Sequence, residues 1–104
     1  MPQQFDVVEN LNPARRQAYP FLVVLQHDRA SSTGSVIAAP LFVSNPALVK
    51  TRLHPSIQMQ GRRYVVLVEE LAAVPRQSLG RVVGSAESHR YHLIAALDLL
   101  FTGI

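Results

Sequence analysis

The chain has 104 residues, 48% of them hydrophobic and 16% charged, which suits one packed domain and excludes a disordered segment. It carries no cysteine, so neither a disulfide scaffold nor a thiolate site is available, and a cytoplasmic location fits. Net charge is +3 with an isoelectric point near 10.0, and Lys50 is the only lysine beside nine arginines.

Those arginines do not form the long basic stripe with interleaved aromatics of a nucleic-acid binder. The densest points, Arg15-Arg16 and Arg62-Arg63, read as solvated turn residues, and no direct DNA binding is expected. No apolar run approaches the roughly 20 residues of a membrane span, and the opening MPQQFDVVEN is polar and mixed, unlike a signal peptide. A soluble protein is expected. A domain this small gains from burying surface in a homodimer.

In chain order, residues 4–9 (QFDVVE) predict a first strand, broken by Asn10-Leu-Asn-Pro13. Residues 19–26 (YPFLVVLQ) predict a strand covered on both faces. Residues 28–34 are a polar turn, and 35–40 (SVIAAP) a strand closed by Pro40. Residues 41–53 stay open: Asn45-Pro46 marks a turn, and Ala47 to Val49 fit either a short strand or a helical turn. Residues 56–60 and 62–69 form the clearest hairpin, with Gly61 in its turn. Residues 76–79 suggest a short edge strand, and Gly80 and Gly84 flank a loop.

The last stretch, 86–104 (AESHRYHLIAALDLLFTGI), reads as an amphipathic helix. Ser85 or Ser88 can cap it, and Glu87 favours its positive end. Leu93, Ile94, Leu97, Leu100 and Phe101 fall at helical spacing and are expected to pack on the sheet. The class is α+β, an antiparallel curved sheet with one final helix in a single domain spanning 1–104.

Catalytic constellations are weak. His89 and His92 at i, i+3 lack a supporting carboxylate or cysteine, so no metal is expected. Ser31, His27 and Asp28 can be written as a triad, but no nucleophile elbow surrounds them. Glu69-Glu70 are strand neighbours pointing to opposite faces, which does not suit joint acid–base work. No Gly-rich phosphate loop exists. The protein is read as a non-enzyme without cofactors. Taken alone, Thr102-Gly103-Ile104 reads as a helix stop with a loose end. The alternative is a compact apolar tip with a free carboxylate, presented by a rigid helix.

A set of short motifs in common order then resembles the CcdB family of bacterial toxins, the poisons of DNA gyrase. They are QFDVV (4–8), YPFLVVLQHD (19–28), IAAPL (37–41), LHPSIQMQG…LAAVP (53–75), SHR (88–90) and AALDLLFTGI (95–104). The resemblance implies an SH3-like antiparallel β barrel or sheet with a small extra sheet and a C-terminal α-helix, in a twofold homodimer. It implies binding to the DNA gyrase A subunit and trapping of the cleaved gyrase–DNA complex, without bond chemistry by the toxin.

Carried onto this chain, the gyrase contacts fall on Thr102, Gly103 and Ile104, with Asp98 one helical turn earlier where an Asn often stands. The family's best-known plasmid member has Trp at the place of Thr102, and that Trp stacks on a gyrase arginine, an interaction worth roughly 0.5–2 kcal/mol that Thr102 cannot supply. A CcdA-like antitoxin is also implied, contacting Gln26, His27, Asp28, Arg29, Asp98 and Thr102; Arg29 stands in place of an apolar residue and asks for an acidic residue opposite. Two other readings belong beside this one. One is an endoribonuclease of the MazF type on the same barrel, with Arg15, Arg16, Arg62 and Arg63 as its raw material. The other is a degenerate relative that binds its antitoxin and no longer kills.

Overall fold

A computed structural model describes residues 2–30, 34–44 and 51–104. The segment 45–50, which holds the Asn45-Pro46 turn and the open choice at 47–49, lies outside the described residues, as does Ser31. Among the described residues, seven strands and one long helix make up the fold: β1 (Asp6–Asn10), β2 (Phe21–Val24), β3 (Ser35–Val43), β4 (Ser56–Met59), β5 (Arg62–Val66), β6 (Ala72–Pro75), β7 (Leu79–Ser85) and α1 (Arg90–Thr102). All pairings are antiparallel, in the order β4-β5-β3-β2-β1-β7, with β6 also on β3. The α+β expectation holds: the sheet curls into a half-barrel and α1 closes one side. The β4–β5 hairpin extends from the far end of β3 as the small extra sheet.

The register explains the continuous apolar runs. Val7 lies opposite Val23, and Val23 opposite Ala39, so these three form a row on the face that receives α1. Their neighbours Val8, Leu22, Val24 and Ala38 point to the other face and form a second buried cluster with Val36, against which Val74 and Leu79 pack. Both faces of β1 and β2 are therefore covered, which alternation alone would not supply. Register breaks between β1 and β7 at Val7/Val8 and Val8/Asn10 add the curl. Asn10, the buried polar residue in this stretch, is satisfied: its Nδ2 donates to the Tyr19 carbonyl at 2.9 Å, and its Oδ1 accepts the Asn12 N–H at 3.1 Å.

The predicted hairpin is present, and Gln60 (φ 52°) and Gly61 (φ 77°) turn it with two left-handed residues, the pattern of a tight type I′ connection. Its second strand stops at Val66; Val68–Glu70 is a single 3-10 turn. Two expectations need correction. Pro40 does not close β3, which continues to Val43. A strand residue sends its N–H and C=O to the same side, and the Pro40 carbonyl accepts the Leu67 N–H at 3.0 Å. The missing N–H therefore falls where β3 changes partner from β6 to β5, and no ladder bond is lost. Residues 76–79 are not an edge strand either: Arg76–Ser78 is a 3-10 turn, and the strand is β7, which contains both Gly80 and Gly84. The glycines allow close approach. A Cβ on Gly80 would lie 2.8 Å from the Glu9 Cβ, and one on Gly84 would lie 3.0 Å from the Met59 Cγ.

Phe5 enters β1 in a left-handed conformation (φ 68°) and is fully buried. For a bulky residue this costs of the order of 1–3 kcal/mol, held in place by its surroundings. Its N–H donates to the Val24 carbonyl at 2.6 Å and its carbonyl accepts the Ala86 N–H at 2.7 Å, while the Arg90 guanidinium lies 5.4 Å from its ring centre. The twisted residue thus joins the first strand to the start of α1.

Candidate functional site at the end of the last helix

The sequence 90–102 (RYHLIAALDLLFT) forms a helix because it is rich in Leu and Ala and contains neither Gly nor Pro. Leu93 and Ala96 are its fully buried residues, members of the core cluster that also holds Phe5, Tyr64 and Val68. Ile94, Leu97 and Leu100 are partly buried on the same cluster. The predicted stripe therefore shifts by one position: Ala96 enters the core, and Phe101 turns outward with 69% of its surface exposed. Tyr91, Ala95, Asp98 and Thr102 lie along the outer face.

At the start of the helix, the Ser85 Oγ accepts the Glu87 N–H at 3.1 Å and so opens a 3-10 turn, Glu87–His89, that leads into α1. α1 itself has no side-chain cap, so Ser88 does not serve as one. Glu87 pairs with Arg90 at 3.7 Å.

The other end is built more tightly. Gly103 adopts a left-handed conformation (φ 76°), and its N–H donates to the Leu99 carbonyl at 3.0 Å, a single-bond left-handed cap. The Thr102 hydroxyl donates to the Asp98 carbonyl at 2.6 Å and accepts a long bond from the Ile104 N–H at 3.4 Å. The Arg52 guanidinium donates through Nη2 to the Ile104 main-chain oxygen at 2.5 Å. The end is thus tied back by these bonds, and its apolar side chain projects outward, with Ile104 80% exposed. Asp98, Thr102, Gly103 and Ile104 share this one site.

The residues 26–30 form a separate site. The Gln26 Nε2 donates to the Ala30 carbonyl at 2.6 Å and its Oε1 accepts the Ile37 N–H at 3.2 Å. The His27 Nδ1 accepts the Arg29 N–H at 3.0 Å. The Asp28 Oδ1 accepts the Gln4 N–H at 2.9 Å. These bonds fold Asp28–Ala30 into a 3-10 turn that presents His27 and Arg29 to solvent. Gln26, His27 and Asp28 line a pocket with Pro2, Val36 and Arg76, not with the helix tip. The expected antitoxin residues are therefore split between two places.

The His27 Nδ1 is already occupied by a backbone donor, which leaves no base poised beside Asp28. Glu69 and Glu70 sit on a 3-10 turn, not on a strand, and Glu69 is engaged by the His54 Nε2. His54, His89 and His92 line one groove with Arg52 and Ala95, but no metal-holding group of three or more His, Asp or Glu occurs among the described residues. Arg15 lies 5.1 Å from the Tyr19 ring centre before β2, whereas Arg62 and Arg63 open β5; the two arginine pairs sit on different parts of the fold. No described helix is long and apolar enough to cross a membrane. Arg52 also reaches this tip, across 52 positions, and no local signal in the sequence marks it.

Compared with known proteins, residues 4–103 match the family described as "CcdB protein". No curated protein matches the chain.

Proposed function

This chain belongs to the CcdB family, and we propose that it is the toxin of a toxin–antitoxin pair, one that binds the DNA gyrase A subunit and holds the enzyme on cleaved DNA. The carrying observation is the ordered, exposed tip, Thr102-Gly103-Ile104, at the end of a helix locked into the core. Such a tip suits insertion between protein surfaces. It carries no bond-making group, and none is needed: a protein that binds one state of gyrase better than the others shifts the population toward that state. A twofold dimer of this chain would match the twofold symmetry of a gate made by two copies of that gyrase subunit. On this reading Ile104 and Gly103 enter the partner, and Asp98 stands at the rim.

A CcdA-like antitoxin would bind over the same helix and reach the separate loop at 26–30, where exposed Arg29 calls for an acidic residue. Because these residues fall on two elements, the 26–30 turn and the end of α1, an extended segment that orders on binding suits them.

The test is a supercoiling and cleavage assay with purified gyrase. The protein should convert supercoiled plasmid to linear DNA that is released by denaturing the gyrase. Removing residues 103 and 104 should abolish this and leave thermal unfolding unchanged. Full poisoning by the shortened protein would reject the assignment of the tip.

A further inference from the structure

We propose that Arg52 is a positioning residue for the tip, and that the Thr102 hydroxyl is its second anchor. The inference rests on the reading of Gly103 and Ile104 as the gyrase contact, and extends it to a residue outside the helix. Ile104 is 80% exposed, so burial does not hold it. Its position rests on hydrogen bonds. The Arg52 Nη2 donates to its main-chain oxygen at 2.5 Å, and its own N–H reaches the Thr102 Oγ1 at 3.4 Å. That hydroxyl is aimed back at the Asp98 carbonyl at 2.6 Å. Thr102 thus spends its polar atom on the tip's own backbone and does not offer it to a partner.

Arg52 can act as a clamp because its base is fixed. The His54 N–H donates to the Thr51 carbonyl at 3.1 Å, closing a tight turn around Arg52. Leu53 packs against the main core. The His54 side chain is bonded to Glu69 on the 3-10 turn that also carries buried Val68, in the cluster beneath α1. From the core the path runs through Glu69, His54 and Arg52 to Ile104, and returns through α1. A tip fixed at both its helix and its far end loses less freedom on binding, and preorganisation of this kind raises affinity without adding a contact. In a chain with Thr at 102, the clamp does this in place of a large side chain.

The experiment compares wild type with Arg52→Met, Arg52→Lys, Thr102→Val and Thr102→Ser. Backbone 15N relaxation of Gly103 and Ile104 in the free protein reads the clamp. Affinity for the purified gyrase A subunit reads its consequence, and thermal unfolding checks that the core is intact. Arg52→Met and Thr102→Val should loosen the Gly103 and Ile104 amides alone and weaken gyrase binding about 3- to 10-fold, the population effect of one hydrogen bond. Arg52→Lys, which keeps a charged donor on a flexible stem, should fall between wild type and Arg52→Met. Thr102→Ser, which keeps the hydroxyl, should restore both readouts. Unchanged amide relaxation in Arg52→Met and Thr102→Val would overturn the clamp. Loosened amides with unchanged affinity would overturn its positioning role. Failure of the wild type itself to bind gyrase would overturn the assignment of the tip and not the clamp, which the relaxation data decide by themselves.

Discussion

Gly103→Ala isolates backbone geometry from side-chain contact. Gly103 sits at φ 76°, and a Cβ built on it meets nothing within 4 Å. The added methyl therefore costs no clash, only the left-handed torsion, roughly 1–2 kcal/mol for an L-residue. The chain has two responses. It can keep the cap and bear that cost, or swing residue 103 out of the left-handed region and lose the bond from its N–H to Leu99, with Ile104 displaced from Thr102 and Arg52. At an exposed end the second response is the cheaper, so the binding-competent tip falls in population by up to about 5- to 30-fold, and the apparent affinity for the gyrase A subunit falls with it. Global stability should hardly move, because Thr102 to Ile104 are exposed and the core contacts of α1 come earlier, at Leu93 and Ala96.

The control is D-alanine at 103, which favours positive φ. It can be made by joining a synthetic 96–104 peptide to residues 1–95, with a cysteine at the junction desulfurised to the native Ala96. L-Ala should weaken binding and DNA-cleavage trapping; D-Ala should retain most of both. Equal loss with the two alanines would show that the interface rejects bulk rather than torsion. Wild-type binding by L-Ala would refute the cap argument outright.

Leu93→Ala removes a fully buried side chain beneath α1 and should destabilise the protein by about 2–5 kcal/mol in urea unfolding, with the tip loosened as a consequence. Gly80→Ala should destabilise more than Gly84→Ala. The first meets the Glu9 Cβ at 2.8 Å, close to backbone, and the second meets the flexible Met59 side chain at 3.0 Å; paired thermal melts decide the order. At the surface, the Arg81 side chain, followed by its N–H, bonds the Glu9 carboxylate and holds it below the ordinary carboxylate value. The lowered folded value means that this stabilisation is present above the ordinary carboxylate value and is lost as pH falls through the lowered one. Arg81→Ala should raise the Glu9 midpoint in a 13C NMR titration, but only in part, since the backbone N–H at 81 remains; an unmoved midpoint would reject the pairing.

Much of the fold was legible because it rests on local chemistry. The Gln60-Gly61 turn, the doubly covered β2 and the last helix each follow from residue types at fixed spacing. What escaped depended on neighbours distant in sequence. Gly80 and Gly84 look like loop punctuation until Glu9 and Met59 are found against them. Pro40 looks like a strand stop until β3 is seen changing partners beside it. Phe101 fits the apolar spacing as well as Ala96 does; which of them turns inward depends on the core cluster beneath the helix, drawn from distant strands. The tip is the sharpest case. Its residues were named through resemblance, while their own pattern favoured a loose end. The bond that argues against looseness comes from Arg52, and nothing near Arg52 in the chain announces it.

On the proposed reading, the arrangement also bears on how Thr can stand at 102 where the resemblance places Trp. A stacking side chain adds a contact after encounter; a clamp removes disorder before it. The two contributions are of similar size, roughly 0.5–2 kcal/mol for a cation–π stack and roughly 0.5–1.5 kcal/mol for a hydrogen bond. They should differ in salt dependence. A stack formed at the interface is largely desolvated, whereas the Arg52–Ile104 bond lies at an exposed tip in the free protein, where ions screen it. Raising salt should therefore loosen the tip of this protein before binding, and Arg52→Met should lose that sensitivity at Ile104. If Ile104 relaxation in the wild type does not change between low and high salt, the guanidinium acts as a neutral donor would, and the electrostatic part of the clamp is wrong.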